Sequence, residues 1–203
     1  MTAAEDSEAP AGRTQIRRAV LAAARTRLSR TGLRATIRQI AADARVNPGL
    51  IHRHLGRKED LVTAVVDDAL ARSRRRVAAV DTPGEAVAEM FRGAAADEEV
   101  SRLIAWLALE SPVSGPATDP LSTADERTVA RVRAMRPRSR ATDLRLMLAL
   151  TAVYGWPVFR RQILSAFDDH AETGPTLHAL EDELAGLLTG IVDRAAGAPE
   201  GAR

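Results

Sequence analysis

Apolar residues recur at helical spacing along most of this 203-residue chain. Between residues 14 and 31, Ile16, Val20 and Leu28 fall on one stripe, which predicts an amphipathic helix. Gly32 is a natural C-terminal stop for that helix, because glycine takes backbone conformations that other residues avoid. The patterned part of the chain therefore begins with a single helix of about five turns.

Two short helices are predicted next. Thr36 followed by Gln39 is a capping-box pattern, in which each side chain accepts a hydrogen bond from the other residue's backbone. Asn47 is a good N-cap and Pro48 suits the first helical position, so a further helix runs from residue 48 to about residue 54. Two short helices packed on a longer one make a helix-turn-helix. The residues expected to point inward are Ile40, Ala41, Ala44, Leu50, Ile51 and Leu55.

The rest of the chain is also predicted to be helical, which makes the fold class all-α. A long helix is expected over residues 57–77, with acidic residues at its start and arginines at its end. Gly155 and Pro157 interrupt the longest apolar stretch, and the proline is expected to kink or split that helix. Further helices are predicted at residues 83–95, 97–110, about 121–135, about 140–167 and about 176–195.

The composition favours a helical core and excludes several kinds of site. Aromatic residues make up 3% of the chain, so the core must be aliphatic and rich in alanine, which suits helices better than sheets. The absence of cysteine excludes disulfides and thiolate metal sites. The acidic first residues lack the order of a signal peptide, and no apolar run approaches the roughly 20 residues needed to span a bilayer. We therefore expect a cytoplasmic protein without a membrane partner.

Charge is segregated along the chain. Residues 13–61 contain eleven arginines and Lys58 against three carboxylates, a net charge of +9, whereas residues 1–12 contribute −3 and residues 62–203 contribute −4. A basic first quarter is expected when that end of a protein meets a polyanion. A solvated arginine face would produce the same distribution, and charge alone does not choose between these interpretations.

Residues 36–61, TIRQIAADARVNPGLIHRHLGRKEDL, resemble the DNA-binding region of the TetR family of transcriptional regulators. In that family a Thr opens the second helix, Ile-Ala follows four residues on, and Lys-Glu-x-Leu opens the fourth helix. Here Arg45 replaces the glycine of the turn, His52 replaces a Tyr, and Leu55 replaces a Phe. The positions that fit the pattern are Thr36, Ile40, Ala41, Ala44, Val46, Gly49, His54, Lys58, Glu59 and Leu61.

The resemblance implies an N-terminal helix-turn-helix DNA-binding domain at residues 13–60, whose third helix enters the major groove of double-stranded DNA. It implies a helical ligand-binding and dimerisation domain at residues 61–196; residues 1–12 and 197–203 are expected to be disordered. Arg45 either adds a phosphate contact or is solvated, and Leu50 either meets a thymine methyl or packs in the core. Phosphate contacts are expected from Thr36, His52, His54 and Lys58, and base-edge contacts from Arg38, Asn47, Pro48, Gly49, Leu50 and Arg53.

The same resemblance implies a ligand cavity among the middle helices and a homodimer formed by the helices at about 140–167 and 176–195. The leucine stripe of the last helix suits a four-helix bundle with its symmetry mate, although packing within the chain would use the same stripe. An aliphatic pocket with few charges favours a hydrophobic small-molecule effector. The expected cavity residues, each of which could instead be plain core, are Met90, Phe91, Trp106, Glu110, Met147, Tyr154, Trp156 and Phe159.

Neither a metal site nor a catalytic site is expected. His52 and His54 cannot share an ion, because residues two apart on a helix point about 200° away from each other. The chain has no glycine-rich phosphate loop and no nucleophile motif, so no cofactor and no enzyme activity are predicted. The predicted function is a homodimeric repressor that a ligand releases from a pseudo-palindromic operator. The alternatives are an activator with the same DNA binding, and a helical small-molecule-binding protein or enzyme whose basic N-terminus is only a surface.

Overall fold

The computed structural model describes residues 12–110, 120–167 and 175–194 of the chain. The termini predicted to be disordered, residues 1–12 and 197–203, lie outside these ranges except for Gly12. Among the described helices, none is long and apolar enough to cross a membrane. These helices are α1 (Arg13–Thr31), α2 (Ile37–Asp43), α3 (Pro48–Leu55), α4 (Lys58–Ala78), α5 (Pro83–Ala96), α6 (Glu98–Glu110), α7 (Pro120–Ala134), α8 (Arg140–Ala166) and α9 (Pro175–Asp193), with a short 3-10 turn at Gly32–Arg34.

The all-α fold class predicted from the pattern is confirmed, and local capping explains several helix boundaries. Gly32 ends α1 with a φ of 59°, in the left-handed region that glycine tolerates. Thr82 opens α5 by accepting a hydrogen bond from the backbone N–H of Glu85 at 3.2 Å. Ser139 opens α8 in the same way, accepting from the backbone N–H of Thr142 at 3.2 Å.

The longest helix contains a proline. α8 runs from Arg140 to Ala166 as one helix with Pro157 inside it, so the proline does not split the helix, and the alternative of a kink stays a prediction. Proline removes one backbone hydrogen bond and crowds the preceding turn. Val153 and Trp156 in that turn are buried in a core shared with α5 and α9, and this packing offsets the missing hydrogen bond.

Buried apolar side chains form two clusters, which we call the N-terminal core and the C-terminal core. The N-terminal core joins α1, α2 and α3 to the first turns of α4 and to Leu103 and Leu107 of α6. The C-terminal core joins α5, α8 and α9 to Val77 near the end of α4 and to Val132 of α7. α4 therefore contributes to both cores, and α6 completes the core beneath the helix-turn-helix.

Candidate nucleic-acid interface and effector cavity

α2 begins at the predicted capping box. The backbone N–H of Gln39 donates to Thr36 Oγ1 at 3.3 Å, and the backbone N–H of Thr36 donates to Gln39 Oε1 at 2.9 Å. Thr36 Oγ1 also donates to Gln39 Oε1 at 3.1 Å. The hydroxyl of Thr36 is thus fixed at the exposed start of α2, and Arg38 is exposed in the first turn of the same helix.

The turn between α2 and α3 is a Schellman motif with Arg45 at its left-handed position. The backbone N–H of Arg45 donates to Ala42 O at 3.1 Å, and that of Val46 donates to Ala41 O at 2.9 Å. Arg45 has a φ of 55°, which costs a residue with a side chain roughly 1–2 kcal/mol. Arg45, which replaces the glycine of the turn, thus takes the left-handed conformation that glycine would adopt without this cost.

α3 is anchored at its start and along one face. Asn47 Oδ1 accepts from the backbone N–H of Gly49 at 2.8 Å, and Pro48 occupies the first helical position. Ile51 and Leu55 are buried in the N-terminal core, which fixes the rotation of the helix about its axis. The side chains on its other faces are His52 and Arg53, which are exposed, and Leu50 and His54, which are half-buried.

Two of the residues expected to contact bases already have partners within the protein. The amide oxygen of Asn47 is used in capping, and Leu50 packs against the N-terminal core, as its alternative interpretation predicted. Arg38 and Arg53 are exposed and carry the guanidinium group that binds guanine through two hydrogen bonds. These two arginines are therefore the side chains best suited to reading base edges.

Two of the residues expected to contact phosphate also donate side-chain hydrogen bonds to the protein's own backbone. His52 Nδ1 donates to Gly56 O at 3.2 Å, so a neutral ring offers Nε2 only as an acceptor and must be protonated to donate to a phosphate. Lys58 Nζ donates to Leu33 O in the 3-10 turn that follows α1. Because Lys58 is the first residue of α4, this hydrogen bond ties the start of α4 to the end of α1.

An ion pair joins α1 to α2. Arg27 Nε and Nη2 donate to the two carboxylate oxygens of Asp43 at 2.7 and 2.6 Å. These hydrogen bonds, together with the charge of the guanidinium, lower the pKa of the Asp43 carboxyl and raise that of Arg27. Asp43 is the last residue of α2, where the helix dipole disfavours an acid, and Arg27 supplies the compensating charge.

The expected cavity residues do not share one site. Met90 and Tyr154 line a cavity between α4, α5, α6 and α8. Phe91 and Trp156 are buried side by side in the C-terminal core, with ring centroids 6.3 Å apart, so the plain-core alternative describes them better. Trp106 and Glu110 lie against Gly32 at the end of α1. Met147 and Phe159 are 61% and 57% exposed on α8.

The cavity has a volume of about 140 Å³. Several of the residues that line it were not predicted from the sequence. They include Arg72 and Arg76 from α4, Asp97 before α6, and Val100 and Ile104 from α6. The spacing of residues along α4 could have indicated that these two arginines lie near the cavity. They follow Ala69 at helical spacing and so lie at the edge of its apolar face.

Both α8 and α9 carry exposed apolar side chains, and we call those along one side of α8 the α8 stripe. Leu144, Leu148, Phe159 and Ile163 lie along one side of α8 and are 54%, 60%, 57% and 39% exposed. Leu187 of α9 is 65% exposed. Gly155 of α8 and Gly186 and Gly190 of α9 have open space where a side chain would be, so another helix could approach closely there.

The capped α2–turn–α3 unit, seated on α1 and carrying exposed arginines, is the helix-turn-helix of a DNA-binding protein. Residues 20–65 match the family model of bacterial regulatory proteins of the tetR family. The chain is 29% identical over 184 residues to an HTH-type transcriptional repressor of Mycobacterium tuberculosis and to an HTH-type transcriptional regulator of Mycobacterium bovis, covering 88% of this chain and 92% of each relative. The family model and both relatives confirm the resemblance to TetR-family transcriptional regulators that was stated from the sequence.

The fold agrees with that of a solved structure from a Rhodococcus species. A crystal structure described as that of a TetR-family transcriptional regulator from a Rhodococcus species has a TM-score of 0.59 with this chain. The match covers 89% of this chain and 97% of the other at 19% sequence identity. At that identity the likeness supports the fold alone.

Proposed function

We propose that the protein is a homodimeric repressor that binds a pseudo-palindromic operator through α3 and is released by a small molecule. The observation that supports this most directly is the fixed presentation of α3. One of its faces is anchored in the N-terminal core, and Arg53 and His52 project from the exposed side. A short helix held in this way by a partner helix is the geometry that enters a major groove.

The dimer is supported by the α8 stripe. Monomeric proteins rarely expose contiguous apolar surfaces of this kind unless the surface has a function. A second copy of the chain would cover Leu148 and Phe159, with the open glycines of α9 allowing close approach of its helices. Two α3 helices about 34 Å apart could then read two half-sites one turn of the duplex apart.

Repression and ligand release rest on different observations. One relative from Mycobacterium tuberculosis is named as a repressor, which favours repression over activation for this protein. The cavity between α4, α5, α6 and α8 is a place for an effector, and two of its neighbouring helices, α4 and α6, also form the N-terminal core. An effector would lower DNA affinity only by the difference between its affinities for the two conformations. We expect the protein to act in the cytoplasm, where it meets chromosomal DNA.

A gel-shift titration on the DNA upstream of the protein's own gene tests the DNA contacts. Arg53→Ala should cost about 1–3 kcal/mol and relax sequence preference, because it removes a base contact. Lys58→Ala should weaken binding to all sequences and reduce the salt slope by about one. Arg75→Ala, which removes the same charge from an exposed position of α4 outside the helix-turn-helix, is the matched control. Equal effects of Arg53→Ala and Arg75→Ala would contradict the proposed binding face.

Sedimentation equilibrium tests the dimer separately. Leu148→Glu should convert the protein to a monomer and weaken operator binding, since two half-sites would no longer be bound together. Leu109→Glu places the same charge at an 80% exposed leucine of α6, outside the α8 stripe, and should leave the dimer intact. If Leu148→Glu remains dimeric, the copies meet through another surface.

A further inference from the structure

The cavity between α4, α5, α6 and α8 has an apolar floor and a charged rim. Met90, Val100 and Val153 line it and are 5%, 7% and 4% exposed. The side chains of Arg72 and Arg76 are 64% and 44% exposed, so their charged ends meet solvent at its opening. Its volume of about 140 Å³ is close to that of an engineered protein cavity of about 150 Å³ that binds benzene. The space therefore fits an apolar group of about one ring.

The acid at this rim already has strong partners. Asp97 accepts from Arg25 Nη2 at 2.8 Å and from the backbone N–H of Val100 at 3.2 Å. Arg72 Nη2 lies 3.9 Å from the other oxygen of Asp97, beyond hydrogen-bond distance. Asp97 is thus paired mainly with Arg25 of α1, whose Nε also lies 3.2 Å from Glu99 Oε2, and the charge of Arg72 is only weakly compensated.

The second rim arginine is in a similar position. Arg76 Nε is 3.6 Å from Glu89 Oε2, while Arg92 Nη1 donates to the other oxygen of Glu89 at 2.9 Å. The guanidinium of Arg76 lies against Gly93, in space that a side chain at that position would occupy. The glycine therefore leaves room for a cation beside the cavity, and neither rim arginine has a carboxylate at hydrogen-bond distance among its described ion pairs.

We propose that this cavity binds a small carboxylate whose apolar part is about the size of one ring. The carboxylate lies at the rim between Arg72 and Arg76, and the apolar part rests on Met90, Val100 and Val153. Guanidinium–carboxylate hydrogen bonds fix the orientation, and burial of the apolar part supplies much of the affinity. This assignment rests on the proposed function, because it names the chemical class of the effector for the cavity described there.

The charge pattern distinguishes this ligand class from its neutral and cationic counterparts. An amine of the same size would meet two guanidinium groups whose carboxylate neighbours lie 3.9 and 3.6 Å away, and its natural acceptor, Asp97, is already paired with Arg25. A neutral alcohol would keep the apolar contacts but lose the charge-assisted hydrogen bonds. The carboxylate is the form for which both halves of the site are favourable.

Isothermal titration calorimetry of the full-length protein tests the assignment with benzoate, phenylacetate and hexanoate as probes. At least one of the three should bind about tenfold more tightly than benzyl alcohol, and benzylamine should not bind. Arg72→Gln and Arg76→Gln should each weaken that binding by about five- to tenfold, since the two guanidinium groups are partly exposed. Arg75→Gln, which changes the exposed residue next to Arg76 in α4, should leave carboxylate binding unchanged. Ile104→Phe should abolish binding by filling the cavity without changing its charge.

Three results would overturn the assignment: no heat from any of the three carboxylates up to about 10 mM, equal binding of benzyl alcohol or benzylamine, or no effect of the Arg72 and Arg76 changes. A gel shift on the same samples separates this inference from the proposed function. If DNA is bound but no carboxylate is, only the ligand class is wrong. If a carboxylate binds with the expected arginine dependence but no DNA fragment is shifted, the anion site stands and the proposed regulator does not.

Discussion

Replacing Arg45 tests the strain in the turn of the helix-turn-helix. Arg45 occupies the left-handed position of the Schellman motif with a φ of 55°, and its side chain is exposed. Arg45→Ala removes the guanidinium but keeps a Cβ in the strained conformation. Arg45→Gly removes the guanidinium and the Cβ together. Because both variants lose the same charge and the same side-chain contacts, their difference isolates the backbone.

The expected difference follows from two opposing terms. The left-handed conformation costs alanine roughly 1–2 kcal/mol, and glycine avoids this cost. Glycine has more freedom in the unfolded chain, which destabilises the folded state by about 0.4–1 kcal/mol relative to alanine. Arg45→Gly should therefore be about 1 kcal/mol more stable than Arg45→Ala. In a protein of this size that difference corresponds to about 2–4 °C in Tm.

Urea unfolding of the two variants, followed by circular dichroism, measures this difference directly if both show the same dependence on urea. The two variants should also bind operator DNA with the same salt slope, since each has lost one charge. The reasoning about the turn would be refuted if Arg45→Ala were as stable as Arg45→Gly, or more stable. That result would mean that the chain relieves the strain in another way when the arginine is removed.

Three further changes test other parts of the molecule. Glu181→Ala should destabilise the protein by about 1–3 kcal/mol in urea unfolding, because Trp156 Nε1 donates to Glu181 Oε1 at 3.0 Å in the core; Glu181→Gln keeps an acceptor and should cost less. Gly84→Ala should lower Tm, because a Cβ there would lie 2.5 Å from an Asp193 carboxylate oxygen, and Asp193→Ala should remove much of that extra penalty in a double-mutant cycle. The pKa of Asp43 is lowered in the folded state, so its contribution to stability is present above the unfolded-state pKa of about 3.9 and is lost as pH falls through the lower folded value. Asp43→Asn should therefore flatten the acid side of the stability profile, and an unchanged profile would mean that the Arg27 pair contributes nothing.

The helix-turn-helix could be predicted from the sequence because local chemistry determines it. Thr36 with Gln39 and Asn47 with Pro48 identify the starts of α2 and α3 wherever those helices lie in the fold. The structure adds what local patterns cannot supply, namely the partners that come from distant segments. Lys58 was expected to contact phosphate, and its hydrogen bond to Leu33 O depends on how α4 meets the end of α1.

The cavity could not be predicted in the same way, since its walls come from four helices. α8 has apolar residues around most of its circumference, so its periodicity does not tell Val153, which faces the cavity, from Met147, which is exposed. Trp106 and Glu110 were expected in the cavity because the family resemblance implies a cavity among the middle helices. Instead they lie against Gly32, since α6 turns this side towards the end of α1.

The position of α6 has a physical consequence for how the two halves of the chain can influence each other. Leu103 and Leu107 complete the N-terminal core, while Val100 and Ile104 of the same helix line the cavity. Arg25 of α1 is paired with Asp97, which precedes α6, so α1 is held to this helix by charge as well as by packing. A ligand that displaces α6 must therefore either carry α1 with it or separate apolar surfaces that are almost fully buried. Because separating packed side chains costs several kcal/mol, a joint movement of α6 and α1 is the less costly response. A domain boundary placed at the end of the helix-turn-helix would therefore separate residues that pack together in the N-terminal core.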